Sequence, residues 1–148
     1  MARLEVTRDL PVALRAGFDY ITNVENWPAY WPKLVEIPER DSVRWREPGD
    51  RAAVVIDVRG RPTELRMTLE EFVPYDRVVY RSSQEGLPEF RHERLFRDNG
   101  GRLRYTLVIA YEPRPGLKGL FDRFVLPRYV RASLVETMGN LERVLEGH

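Results

Sequence analysis

The chain has 148 residues, and its 24 Lys+Arg nearly balance its 23 Asp+Glu. This length suits one domain with a sizeable core, residues 1–148, that needs no metal or disulfide to hold it together. The absence of cysteine excludes a disulfide scaffold, a thiolate metal site and a cysteine nucleophile, and the charge balance argues against a nucleic-acid surface, which needs clustered excess cation. The start "MARLEVTRDLPV" lacks the apolar stretch of a signal peptide, and no apolar run approaches the roughly 18–20 residues that span a bilayer. The expected setting is therefore the cytoplasm.

"LEVTRDL" (4–10) reads as a first strand. Pro11 suits the first turn of a helix, and "VALRAGFDYI" (12–21) places Val12, Ala16 and Ile21 near one face of that helix. Next comes "ENWPAYWPKL" (25–34), three large aromatics and two prolines in ten residues. A residue before proline avoids the α region, so Pro28 and Pro32 confine any helix here to little more than one turn. A helix this short has no stability of its own. It must be an anchor, and the expected partner of Trp27 and Trp31 is the end of the last helix, near Leu141, Val144 and Leu145.

From Leu34 to Glu112 the period changes to two, broken by turn signals at "EPGD" (47–50), "GRPT" (60–63), "PYD" (74–76), "QEGLP" (84–88) and "DNGG" (98–101). Six runs result, an antiparallel meander. Closing the first hairpin at Arg46 and Arg51 sets Trp45 opposite Ala52 and Val43 opposite Val54. Closing the second at Arg59 and Glu64 sets Val58 opposite Leu65, Ile56 opposite Met67 and Val54 opposite Leu69, with Arg59–Glu64 and Asp57–Arg66 on the other face. Apolar residues then meet on one face and opposite charges on the other. All the cations except Lys33 and Lys118 are arginines, and in stretches such as "TELRMTLEEF" they read as a salt-laced outer face. After "EPRPG" (112–116) the period returns to 3.6, and Val130, Leu134, Met138, Leu141 and Leu145 form the stripe of a C-terminal helix. Pro127 fits either its first turn or a break after "LKGLFDRFVL" (117–126). Gly139 within it reads as a close-packing position first, or else as room for a ligand.

The count of elements carries the argument further. A seven-stranded sheet with one apolar face must be covered, and the last helix is the only long element. A helix about 10–12 Å across spans two or three strands at about 4.8 Å spacing. A sheet curled round it would leave a space between the two.

Three stretches also carry a resemblance that extends over nearly the whole chain. "ENWPAYWPKL" is similar to the tryptophan-proline segment of the START-like, Bet v 1-like (SRPBCC) superfamily. "TLEEFVPYDRVVYRS" (68–82) is similar to its middle hairpin, and "GLFDRFVLPRYVRASLVETMGNLERVLE" (119–146) to its closing helix. Within that superfamily the chain resembles the bacterial polyketide cyclase/dehydrase and lipid-transport group. The resemblance implies an α+β helix-grip fold: a seven-stranded curved antiparallel sheet around a long C-terminal helix, with two short helices after the first strand. It implies a hydrophobic cavity for lipids, quinones, sterols or polyketides. It supplies no catalytic residues, because the group shares no catalytic motif, so function must be argued from the site.

On the expected inner face, Val78, Tyr80 and Ser82 alternate, followed by Phe90, His92, Arg94 and Phe96, then Leu103, Tyr105, Leu107, Ile109 and Tyr111. Closing "DNGG" at Arg97 and Arg102 sets Arg94 opposite Tyr105, and Tyr80 falls opposite or diagonal to His92. Strict alternation turns Glu71 inward, whereas a bulge at "EE" turns Phe72 inward; the residues leave both open. The candidate ligand contacts are Trp45, Val54, Ile56, Met67, Leu69, Tyr80, His92, Arg94, Tyr105, Leu107, Leu134 and Met138, an apolar set with a few polar groups to fix orientation.

Two functions follow from this face. In the first, the chain binds a hydrophobic or aromatic small molecule, such as a lipid, quinone or polyketide-like ring, without altering it. In the second, it is a polyketide cyclase, aromatase or dehydratase, with His92 and Tyr80 as acid and base and Arg94 holding an oxyanion. Each of these residues also has a structural reading: His92 bonded to a tyrosine, Arg94 reaching the pocket mouth or paired with Glu71, Trp45 in the core. A protein-interaction module is a third reading. Ser82, Ser83 and Ser133 lack an evident base partner, and His148 is terminal. No HExxH, P-loop or GxGxxG occurs, and His92 and His148 are too far apart for a metal pair, so no cofactor or metal is expected.

Overall fold

The computed structural model describes residues 1–147; His148 lies outside them. The strands are β1 (Ala2–Leu10), β2 (Leu34–Glu36), β3 (Arg51–Val58), β4 (Arg61–Val73), β5 (Arg77–Ser83), β6 (Phe90–Asn99) and β7 (Arg102–Tyr111). The helices are α1 (Leu14–Ile21), α2 (Trp27–Tyr30), α3 (Leu117–Phe124) and α4 (Leu126–Leu145). The seven strands form one antiparallel sheet in the order β1-β7-β6-β5-β4-β3-β2. This is the expected helix-grip architecture. Its α4 stripe is as read, with Val130, Leu134, Met138, Leu141 and Leu145 all buried. Pro127 sits in the first turn of α4, and Val125 separates that helix from α3.

The expected faces hold, but two registers differ. The second hairpin turns on Arg59–Gly60 alone, both at positive φ (53° and 82°), so Val58 meets Arg61 and Val54 meets Leu65. The last hairpin likewise turns on Gly100–Gly101 (63° and 88°), and Arg94 meets Leu107 while Phe96 meets Tyr105. Two-residue turns of this hand match the twist of the strands they join, so each hairpin zips further than a four-residue loop would allow. Both displacements are even, so no side chain changes face. The charge pairs do change: Asp57 faces Pro62, and Arg66 bonds Glu64 along its own strand.

The expected first hairpin is absent. Arg40–Ser42 is a 3-10 turn, and Val43 to Trp45 form no strand. β3 pairs instead with Leu34–Glu36. The "EPGD" loop is held from within and from β4. The Asp50 carboxylate accepts the Arg46 and Glu47 N–H groups at 3.0 and 2.9 Å, and Leu69 exchanges backbone bonds with Gly49 and Asp50. Trp45 is buried all the same.

At "EE" the structure has the bulge. Leu69 pairs with Tyr80 and Glu71 with Val79, so Glu70 is the extra residue. Phe72 turns inward, 5.6 Å from the Phe18 ring. Glu71 turns outward and accepts two bonds from Arg77 at 2.8 and 2.9 Å. The outer face is salt-laced as expected, with Arg81 holding Glu70 and Glu89 and Arg104 holding Asp9.

α1 begins three residues after Pro11, and its buried face is Gly17, Phe18 and Ile21. Ala16 is exposed and Val12 precedes the helix. Close packing falls on Gly17 rather than Gly139: a Cβ on Gly17 would lie 2.5 Å from Leu103, whereas one on Gly139 would meet only the ends of Arg143 and Arg8 at 3.8 and 4.0 Å. α2 is the expected single turn. It is tied to α4 by Asn140, whose amide donates to the Tyr30 carbonyl at 3.0 Å. Trp27 shares one buried cluster with Leu141 and Leu145, and its ring also meets Trp31 at 5.5 Å and Trp45 at 5.8 Å, so the loop that replaced the first hairpin is packed against the stub.

Candidate functional site

Three strands and the stub bring one polar cluster into the apolar interior. Tyr80 and His92 are direct partners across β5 and β6, and their rings stack at 4.3 Å with 7° between planes. Ser82 lies diagonal to His92, and Ser82 Oγ is 2.7 Å from His92 Nε2. The expectation that Ser82 has no base partner is therefore corrected. Two residues along from His92, Arg94 donates from Nη2 to Tyr80 Oη at 2.9 Å and, more weakly, from Nη1 to Tyr30 Oη at 3.4 Å. Tyr30 in turn donates to the Ile21 carbonyl at 2.7 Å. Trp45 meets Tyr80 edge-on at 5.5 Å. The aromatic line Trp27, Trp45, Tyr80, His92 thus joins the stub to the inner face.

The unusual member is Arg94. It is 8% exposed, and among the described residues no carboxylate pairs with it; Glu71 is spent on Arg77. Burial opposes its charge, while the oxygens of Tyr80, Tyr105 and Tyr30 support it, and the balance holds it protonated. Two donors in the cluster lack a partner, Arg94 Nε and Tyr105 Oη. An unmatched buried donor is costly, and a buried cation without a counter-charge is costlier. Burial pushes the Tyr30 phenol up to about 12, against the pull of Arg94, and pushes Tyr105 up as well. Both are neutral donors at neutral pH. Burial, and then the Arg94 charge, push His92 down to about 3. His92 is thus a neutral imidazole, with no titration near pH 7.

The candidate ligand residues divide. Tyr80, His92 and Arg94 converge as expected, and Tyr105 stands beside them. Trp45, Val54, Leu69, Tyr105, Leu107, Leu134 and Met138 are buried members of one core cluster, and Ile56 packs against it. They share this apolar interior with the buried stripe of α4. A pocket of about 540 Å³ opens where Ala52, Met67 and Ser82 meet Val43 and Pro38. Met67 alone of the candidate contacts lines it, and Trp45 lines a separate pocket of about 590 Å³. From the first pocket, Ser82 leads to His92 and Tyr80 and so to Arg94.

Sequence reasoning missed Tyr30 and Ser82 as members. Ser82 was within reach, since it shares the inner face with Tyr80 and a diagonal neighbour on the facing strand is close enough to bond. Tyr30 was not, because only tertiary packing sets the stub against β6. Among the described residues no cluster of His, Asp and Glu could hold a metal ion, and no helix is long and apolar enough to cross a membrane.

Comparison with known proteins agrees with this architecture. The aromatase/cyclase Zhui from Streptomyces sp. R1128 superposes with a TM-score of 0.80 at 13% identity, over 98% of this chain and 93% of that one. Protein TTHA0849 from Thermus thermophilus gives 0.78 at 16% identity, over 99% and 98%. DynU16, from the dynemicin biosynthetic locus, gives 0.70 at 18% identity; the match covers 97% of this chain but only 47% of DynU16. At these identities the likeness is one of fold. No curated protein matches in sequence. The family model for polyketide cyclase / dehydrase and lipid transport matches residues 1–146, and with the helix-grip sheet and its closing helix this places the chain in that family.

Proposed function

We propose that the chain binds a hydrophobic or aromatic small molecule, of lipid, quinone or polyketide-like kind, that carries an acidic oxygen. The observation behind this is Arg94: a buried cation with no carboxylate, beside two donors, its own Nε and Tyr105 Oη, that have no acceptor. An enolate, phenolate or carboxylate oxygen would accept from both and supply the missing charge. The surrounding Trp45, Val54, Leu69 and Met138 would contact the apolar body of the ligand. The pocket at Met67 and Ser82 is the entrance, and core side chains move aside as the ligand enters. Membership of the family supports a ligand-binding or cyclase role of this kind.

Native mass spectrometry of the protein purified from its own host tests this reading. A retained species with an acidic oxygen, released by unfolding, is the expected result. A protein that emerges empty, and whose melting temperature responds to no added fatty acid, quinone or polyphenol, would refute it.

A second reading, cyclisation or dehydration by proton transfer, draws on the Ser82–His92 bond beside Arg94 and on the aromatase/cyclase neighbour. There Arg94 would hold the oxyanion and His92 would relay a proton. With its pKa at about 3, His92 is a weak base in the ligand-free chain, which ranks binding ahead of chemistry. Turnover of a poly-β-ketone mimic by the wild type but not by His92→Phe would reverse that order.

A further inference from the structure

On α3 most of the large apolar side chains face solvent. Its buried residues are Gly119 and Asp122, while Leu117, Leu120 and Phe124, at i, i+3 and i+7, are 85%, 52% and 68% exposed. Exposed Val125 follows on the way into α4, whose Tyr129 is half exposed, with Arg59 bonded to its hydroxyl at 2.7 Å. Polar contacts lock the helix in this orientation. Asp122 is fully buried and accepts from Arg114 Nε, Nη2 and backbone N–H at 2.8–2.9 Å. Tyr111 Oη donates to the Asp122 carbonyl at 2.7 Å. A Cβ on Gly119 would lie 2.1 Å from the Arg114 carbonyl oxygen, so the inner side of α3 rests on backbone. The helix is thus held firmly, with Phe121 packed against the core and Leu117, Leu120 and Phe124 facing out.

Cations flank that apolar row. Lys118, Arg123, Arg128 and Arg131 are exposed, and among the described residues none of them is in an ion pair. Between Glu112 and Glu136 the only acid is Asp122, which is committed to Arg114. The sheet differs, since Arg66, Arg77, Arg81, Arg91, Arg97 and Arg104 each hold a carboxylate there.

We propose that α3 and the first two turns of α4 dock on an anionic lipid surface, with Leu117, Leu120 and Phe124 inserted among the acyl chains and the four cations on the headgroups. An apolar row flanked by lysine and arginine is the pattern of interfacial helices. A bilayer also accepts protruding side chains without a complementary groove. A second copy of this chain is a poor occupant, because a two-fold contact would set four cations against four. The ligand site lies on the inner face, so this docking stands or falls independently of it.

The test is co-sedimentation of the full chain with vesicles of phosphatidylcholine alone or mixed with phosphatidylglycerol, at low and high salt. The wild type is expected to bind the mixed vesicles at low salt and to release at high salt. Each cation at the surface multiplies binding roughly fivefold, so Lys118→Glu with Arg128→Glu should lower the partition coefficient at least 25-fold by this order-of-magnitude scale. The triple variant Leu117→Ser, Leu120→Ser, Phe124→Ser alters only exposed side chains, and its melting curve serves as the check on folding. It should lose at least about tenfold of the binding. Equal binding by wild type and triple variant would overturn the proposal. So would a wild type that binds no vesicle, which leaves an acidic protein as the occupant, or a concentration-dependent dimer that the triple variant abolishes.

Discussion

Replacing Arg94 with methionine separates a residue kept for binding from one kept for stability. Methionine approximates the length of the arginine stem without its charge. The cost of burying a guanidinium is several kcal/mol even after the surroundings relax. Against this stand the 2.9 Å bond to Tyr80, worth about 1.5–3 kcal/mol for a charged donor, and the Tyr80 ring 5.1 Å from the Arg94 Cζ, worth about 1 kcal/mol. The 3.4 Å contact with Tyr30 adds little, because the Tyr30 hydroxyl keeps its own acceptor on Ile21. No carboxylate is left stranded when the cation goes. The balance favours Arg94→Met by about 1–2 kcal/mol, a rise in melting temperature of roughly 2–8 °C at this chain length. Differential scanning fluorimetry reads the first effect. Native mass spectrometry of the same variant reads the second, and it should emerge without the species that the wild type retains. A variant that melts several degrees below the wild type would refute the reasoning, for Arg94 would then be a structural residue whose hydrogen bonds outweigh its buried charge.

Three further outcomes follow from the packing and the electrostatics. His92 has its pKa at about 3 against an ordinary 6.5, so the unfolded chain takes up the proton first, and stability falls as pH drops from 6.5 towards 3. Between about pH 6.5 and 5 the loss is about 1–2 kcal/mol, and urea midpoints should show this slope in the wild type but not in His92→Phe. Trp27, 1% exposed, should cost about 3–5 kcal/mol on truncation to alanine, and half-buried Trp31 distinctly less; equal losses would contradict the observed packing. Gly139→Ala should raise stability by about 1 kcal/mol through helix propensity, whereas Gly17→Ala should lower it by up to about 2 kcal/mol because its methyl meets Leu103.

Period and turn chemistry made the faces of the sheet legible, and burial agrees with them from Leu65 to Tyr111 except at Val79 and Val108, which are buried although they alternate to the outer face. Register was less legible. Glycines mark where a hairpin turns, but whether the turn takes two residues or four depends on backbone twist, as Arg59–Gly60 and Gly100–Gly101 show. The absent first hairpin has a similar cause. Val43 and Trp45 alternate like a strand, yet Leu34–Glu36 takes the edge of β3 they would have paired with, and Gly49 and Asp50 bond Leu69 instead of closing a hairpin, contacts set by the fold rather than by local pattern. Of the site, Tyr80, His92 and Arg94 could be read from alternation on two neighbouring strands. Tyr30 could not, because it arrives on a stub whose position depends on α4 and on Trp45. The volume left inside was also beyond reach, since counting elements gives the area to be covered but not the volume of the side chains that cover it.

The low basicity of His92 and the unmatched charge of Arg94 are two aspects of one arrangement. Burial and the Arg94 cation both disfavour a proton on the imidazole. An anionic oxygen resting on Arg94 would cancel the second cause and leave only the first. On the proposed reading, ligand binding therefore raises the basicity of His92, and a ring that is inert in the empty protein becomes a better proton acceptor once an enolate or phenolate is in place. The Ser82 hydroxyl, 2.7 Å from Nε2, is positioned to exchange a proton with it. NMR of the His92 ring tests this coupling. In the ligand-free chain its shifts should stay flat between about pH 5 and 8, where an ordinary histidine titrates. With a bound phenolate or aromatic carboxylate its pKa should move up by one unit or more, about 1.4 kcal/mol of interaction. A bound anion that leaves the His92 titration unmoved would place the acidic oxygen away from Arg94, and the two residues would then serve separate ends.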